Sequence, residues 1–426
     1  MQGIRRRALG GLAGMGLAAA TLPAPARAQA PAEAPAAPPQ GPELRLGALF
    51  PLTGPVALFG DEGFRGVELA VEQVNAAGGV FGRPLRLVRA DAPDEAAAAA
   101  EARRLTQGAE RVAAIFGSFS TALALPATQV AELAGVPYFE LGAIGDAVME
   151  RGFRWVFRSA PRAAEFAATA LQGVAVLAVA RDRPPAALRL AVAQEDSVGP
   201  QAVGGALEAA IQALGLTLAQ RATYAPRPTD LAGLVQRLRG LEAEVVLHVG
   251  TPGDEILLFR AMRDGGWWPR MVIGTAAGYG LAETARSIGL DLTGTMSADW
   301  TPFAVNERVA PGARAFAEAY LRRYGAEPRS GLSLAHFCGA RIFLDALGRA
   351  GGTDRDRIRA AVLATDIAEG STACGWGARF DERGQNMRAR PMLCQWQPAP
   401  TGGGLRQVVI APAEAAVAPP IPRLGP

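Results

Sequence analysis

The chain has 426 residues, of which 50% are hydrophobic and only 6% aromatic, with 43 basic and 40 acidic side chains. That length and composition exclude a disordered or fibrous protein and allow two domains, each with a sizeable core. Every basic side chain is Arg, alongside abundant Ala, Gly and Pro, so an Arg by itself says little about function.

Residues 1–28 read as an export signal. Arg5-Arg6-Arg7 is the basic start, 8–22 is apolar and rich in small residues, and Ala26-Arg27-Ala28 offers an A-x-A cleavage site. The apolar run is too short and glycine-rich for a stable membrane span. Arg5-Arg6 leaves the twin-arginine and the ordinary secretory routes both open, and no cysteine follows to carry a lipid anchor. The segment holds four Arg and no acid, so its removal takes the net charge from +3 to −1. A nucleic-acid partner then loses its electrostatic support. Residues 29–42 are Ala/Pro-rich without apolar periodicity and read as a disordered lead-in. Residues 413–426 read as a Pro-rich tail over the surface.

The first unit sets the pattern. Residues 44–50 form a predicted strand, and 51–55, with two prolines and a glycine, break it. Asp61 suits an N-cap for a helix carrying Phe64, Val67, Val71 and Val74 at helical spacing, which Gly78-Gly79 ends. A strand at 85–90 completes a βαβ unit. Helix 94–107, strand 112–116, helix 121–134 and strands 137–141 and 155–158 follow. A second round runs through helix 163–180, strand 188–193, helix 200–214, strand 218–224, helix 229–241, strand 245–250, helix 254–265, strand 271–274, helix 281–288 and strand 294–300. Helices near 311–324, 333–347 and 354–364 precede a C-terminal hairpin. Such alternation predicts an α/β protein with parallel sheets and helices on both faces, and two blocks of similar rhythm predict two doubly wound lobes.

Ligands of open parallel sheets bind at the carboxyl ends of strands. Three such loops stand out. The first is 52–60. The second, Gly117-Ser118-Phe119-Ser120-Thr121, closes a buried strand and opens a helix, where free N–H groups and two hydroxyls can hold a carboxylate or serve as a plain cap. The third, 141–145, has glycines that permit close approach of backbone to a ligand or form an ordinary turn. Phosphate-loop spacing is missing. Catalytic signals are sparse. His248 lies in an apolar strand and His336 on an apolar helix face, and no serine sits in a G-x-S-x-G elbow. Glu195-Asp196 after a strand reads as a solvated turn or a ligand contact. The pattern favours a binder over an enzyme and calls for no metal or cofactor. Cys374 and Cys394 flank 380–384, a predicted hairpin turn, and are the candidate pair for a disulfide; Cys338 reads as a buried thiol.

Five stretches carry a family resemblance: GALFPLTGPVALFGDEGFRGVELAVEQVNAAGG, IFGSFSTALALPATQVAELAGVPYF, VFRSAPR, YAPRPTDLAGLVQRL and GWGARFDERGQN. Over roughly 44–412 the chain resembles the periplasmic solute-binding proteins of the leucine/isoleucine/valine type, which serve ABC importers. The resemblance implies a type I periplasmic-binding fold with ligand trapped between lobe 1 (43–159 plus 300–388) and lobe 2 (160–299 plus 389–412). It implies an inner-membrane permease as partner, a periplasmic location, a monomer and hinge closure on a small carboxylate. A sensor of the same fold is the alternative.

Carried over residue by residue, the resemblance puts the ligand carboxylate at Thr121, beside Ser120. It puts an aromatic contact at Phe59 and a backbone contact at Gly142 and Ala143. Where the family pattern has threonine, tyrosine, a second tyrosine and an acid, this chain has Ile144, Val198 (ahead of Gly199), Thr251 and Ala276. A buried ammonium without an anion costs several kcal/mol. The departures therefore imply a carboxylate ligand with a less polar body, unless Asp254 or Glu195 substitutes. Tyr279 is placed to stack on a ring.

Overall fold

The computed structural model describes residues 39–424 except Pro252 and Ala276. The expected signal, most of the lead-in and the last two tail residues lie outside the described residues.

The first sheet is parallel, in the order β2-β1-β3-β4-β5, formed by β1 (Leu44–Phe50), β2 (Leu85–Asp91), β3 (Ile115–Gly117), β4 (Tyr138–Glu140) and β5 (Val156–Arg158). Helices α1 (Ala57–Ala76), α2 (Glu95–Thr106) and α3 (Thr121–Ala134) cross over between its strands. The near-continuous apolar run of β1 is what a strand covered on both faces requires, and six of its seven residues are buried.

After α4 (Ala163–Ala180) the chain builds a second sheet from β6 (Arg189–Glu195), β7 (Thr217–Tyr224), β8 (Val245–Val249), β9 (Met271–Thr275) and β10 (Met296–Asp299). These strands are parallel and are linked by α5 (Val198–Ala213), α6 (Ala232–Gly240), α7 (Asp254–Asp264) and α8 (Ala282–Ile288). The chain then returns through α9 (Ala313–Tyr324), α10 (Leu332–Ala350) and α11 (Arg355–Leu363), with α10 lying along α1. There the helix backbones nearly touch: a Cβ on Gly66 would sit 2.2 Å from the Ser333 carbonyl oxygen. A short ribbon, β11 (Asp366–Ile367) and β12 (Ala378–Arg379), leads to β13 (Met392–Pro398) and β14 (Leu405–Ala411). These two close the second sheet antiparallel, giving β14-β13-β10-β9-β8-β6-β7.

Four expectations are corrected. Helix α1 starts one turn before Asp61, and Val56 at its cap offers no side-chain bond. A backbone turn replaces the cap, with Ala57 N–H donating to Gly54 O at 3.2 Å. Asp61 instead pairs with Arg65 and Arg329, each at 2.9 Å. The end of the lead-in is anchored, since Gln40 and Gly41 both donate to Gly82 O at 3.1 Å. The described part of the tail is strapped to the second lobe: Gln395 Nε2 donates to Ile421 O at 2.8 Å and Arg181 Nη2 to Pro422 O at 2.7 Å. Cys374 and Cys394 are not bonded; all three cysteines are buried free thiols. The expected turn at 380–384 does form, with Phe380 bridged antiparallel to Asn386 and Met387 N–H donating to Arg379 O at 2.7 Å, but β12 pairs with β11 while β13 joins β10 in the other sheet.

Candidate functional site

A cavity of about 620 Å³ lies where the two sheets present their carboxyl ends to each other. Its lining comes from the loops after β1, β2, β3 and β4 on one side and after β6, β7, β8, β9 and β10 on the other. Parallel sheets put strand-end loops and helix starts on this edge, which is why the site falls there.

On the first wall, α3 begins at the cavity. Ser120 is its N-cap, accepting from Leu123 N–H at 3.3 Å. The N–H groups of Thr121 and Ala122 have no acceptor within the helix and stay open to a ligand. Thr121 Oγ1 accepts from Gly145 N–H at 3.0 Å, so its own proton remains available to donate. Phe119 lines the cavity and rests on Phe59, ring centroids 4.6 Å apart. Beneath these loops Glu140 is fully buried. It accepts from the N–H groups of Ser118, Gly142 and Ala143 at 2.8, 2.9 and 2.8 Å. Burial raises its pKa, and those N–H groups with the Arg158 charge oppose the rise.

On the second wall, α5 begins at the cavity through Val198 and Gly199. A Cβ on Gly199 would lie 3.6 Å from Thr121 Oγ1, so two helix N-termini from different sheets face each other at close range. Each carries roughly half a positive charge. Ser197, at the α5 cap position, gives its hydroxyl proton to Glu195 Oε2 at 2.7 Å rather than capping the helix. Glu195 ends β6 in the cavity wall. Burial raises its pKa; Asp254 and Asp196 add to the rise, and Ser197 and Arg227 oppose it.

Thr251 completes this wall, donating its N–H and its hydroxyl to Asp254 Oδ2 at 2.9 and 3.2 Å. Behind it runs a buried chain. Tyr224 gives its proton to Asp254 Oδ2 at 2.9 Å, so its oxygen takes the proton of His248 Nε2 at 2.9 Å, and His248 Nδ1 accepts from Tyr279 at 2.7 Å. Burial pulls the His248 pKa down to about 3, keeping the ring neutral. This histidine supports the wall and does not face the cavity.

Of the sequence-predicted residues, Ser120, Thr121, Gly142, Ile144, Val198 and Thr251 line the cavity. Phe59 does not; it is buried behind Phe119, which is the aromatic side chain that lines the cavity there. Ala143 is buried, and its N–H and that of Gly142 are both held by Glu140, so neither N–H is open to a ligand. Tyr279 is fully buried on His248 and cannot stack on a ligand. Ala276 lies outside the described residues. Glu195 lines the cavity. Sequence reasoning missed Phe119, Trp300 and Arg227. The one local signal for Arg227 was its position between two prolines just after a strand.

A model of the periplasmic binding protein family matches residues 43–398. Leu/Ile/Val-binding protein homolog 7 of Brucella abortus (strain 2308) is 41% identical over 363 residues, covering 85% of this chain and 91% of that protein. Homolog 8 from the same organism is 39% identical over 378 residues, covering 88% and 92%. Among solved structures, the leucine-binding protein LivK of Thermotoga maritima superposes with a TM-score of 0.71 at 21% identity, covering 85% of this chain and 97% of that one. Streptococcus pneumoniae LivJ in complex with isoleucine gives 0.72 at 18% identity, covering 87% and 100%. The match along most of the chain, the two-sheet fold and the cleft between strand ends agree: this chain belongs to the periplasmic binding protein family.

Proposed function

We propose that this protein is the periplasmic substrate-binding component of an ABC importer, exported with loss of residues 1–28, and that it binds an amino acid as a monomer. The observation that carries the reading is the opposition of the α3 and α5 N-termini beside Glu195. The ligand carboxylate sits at the paired helix starts, taking the Thr121 hydroxyl and open N–H groups. Its ammonium meets Glu195, which fills the role that Ala276 lacks. The ligand body lies against Phe119, Ile144, Val198 and Trp300. The names of the curated relatives support an amino acid as the cargo.

We take the lobes as 43–159 with 300–388, and 160–299 with 389–412. The ligand carboxylate then touches both lobes at once, through the starts of α3 and α5, so binding favours the arrangement that brings the lobes together. The closed form is what a permease recognises.

The test is thermal unfolding of the mature protein with L-leucine, L-phenylalanine, L-glutamate and 4-methylpentanoate, which is leucine without its amine. A bound amino acid raises the midpoint, and E195Q removes most of the rise. If 4-methylpentanoate protects as well as leucine, the ammonium assignment is wrong. If no amino acid shifts the midpoint, the cargo assignment falls.

A further inference from the structure

Resting on the amino-acid reading, the charges around the cavity define its ligand further. An α-amino acid head group is neutral as a whole. Its carboxylate uses the helix starts and its ammonium uses Glu195. Arg227 is then left over. It lines the same cavity, and among the described residues no ion pair or hydrogen bond engages it. It is close enough to Glu195 for its charge to favour that carboxylate.

The backbone fixes where this arginine stands. Arg227 lies between Pro226 and Pro228, and its φ of 53° is in the left-handed region. A non-glycine residue there costs about 1–3 kcal/mol and persists only where the surroundings impose it. Two flanking prolines restrict the backbone there, while the exposed guanidinium rides on a flexible stem.

Two acids stand on the opposite rim. Asp94 is occupied as the N-cap of α2, accepting from Ala97 N–H at 2.8 Å. Glu95 sits in the first turn of α2, where the helix start favours its charge. Among the described residues neither acid pairs with Arg227, and Glu195, whose carboxylate its charge favours, is taken by the ligand ammonium. Lobe closure around a neutral ligand would strip water from an unpaired guanidinium, which is costly.

We propose that the ligand is an amino acid whose side chain ends in an anion, and that Arg227 is the specificity-determining residue that binds it. Guanidinium pairs with carboxylate through two parallel N–H···O bonds, which selects a planar anion over an apolar end.

The experiment is titration calorimetry of the full mature protein and of R227Q with L-glutamate, L-leucine and glutarate. Glutamate is expected to bind the native protein at least tenfold more tightly than leucine, and R227Q to narrow that ratio at least tenfold. Tighter binding of leucine than glutamate overturns the inference while leaving the amino-acid reading standing. An unchanged ratio in R227Q also overturns it. Arg227-dependent binding of glutarate without binding of glutamate supports the anion site and refutes the ammonium site. Binding of none of the three refutes both.

Discussion

Glu140 turns both of its carboxylate oxygens to the backbone N–H of Ser118, each at 2.8 Å. One of those oxygens also gathers the N–H groups of Gly142 and Ala143, so a single buried acid ties the second ligand loop to the third. Charged acceptors of this kind are strong where water is excluded.

The substitution E140Q replaces one acceptor oxygen with an NH₂ group that faces N–H donors. A loss of about 1–3 kcal/mol is expected, read as a lower urea midpoint at unchanged slope. Ligand affinity should fall too, because the loops carrying Thr121 and Ile144 lose their common anchor. Unchanged stability would show that the acid is dispensable.

The second lobe should lose stability as pH rises above neutrality. Glu255 is fully buried at the start of α7, and burial raises its pKa to about 8; Asp299 is raised by burial to about 7. Between the ordinary carboxylate range and those values the folded protein holds protons that the unfolded chain has released, so stability falls with rising pH. His248 and His336, pulled by burial to about 3 and about 4, act oppositely below pH 6.5. Above pH 6.5 the histidines no longer interfere, so E255Q should flatten the slope of unfolding free energy against pH from 6.5 to about 8 and D299N from 6.5 to about 7.

Arg329 joins α1 to α8. Its guanidinium lies 2.9 Å from Asp61 and 3.2 Å from Glu283, and its carbonyl accepts from Ala282 N–H at 3.1 Å. Buried Glu62 accepts its N–H at 3.2 Å. R329A should cost about 1–2 kcal/mol, the discount reflecting partial exposure. With that brace gone, the ligand-free protein should show a larger radius in solution scattering. An unchanged radius would mean that Arg329 does not set the lobe spacing.

Where α1 crosses α10 there is no room for a methyl group at Gly66. G66A should destabilise by about 1–3 kcal/mol, even though alanine is the better helix former. A gain in melting temperature would refute that packing.

Much of this fold was legible because the strands are apolar runs and the helices carry clean periodicity. Residues 121–134 were bounded correctly as α3 from Ser120, a cap residue whose effect is local. Asp61 misled because α1 is started by a backbone turn, which leaves no cap signature in the sequence. At the site, Ser120 and Thr121 were visible because a hydroxyl at a helix start is a short-range pattern. Phe59, Ala143 and Tyr279 failed for one reason: each sits one layer behind the surface, and depth is decided by partners distant in sequence. Phe59 is screened by Phe119, Ala143 is held by Glu140, and Tyr279 is turned inward by His248. Arg227 was hidden by a composition in which every cation is an arginine.

The strands β13 and β14 complete the second sheet beside β10, on which β13 pairs antiparallel. Synthesis of the chain amino end first produces β6 through β10 long before their last neighbours. Until β13 arrives, β10 presents an open edge able to recruit any extended peptide. Premature termination before Met392 would leave that edge open, so nonsense variants late in the gene should aggregate rather than yield a weakened binder.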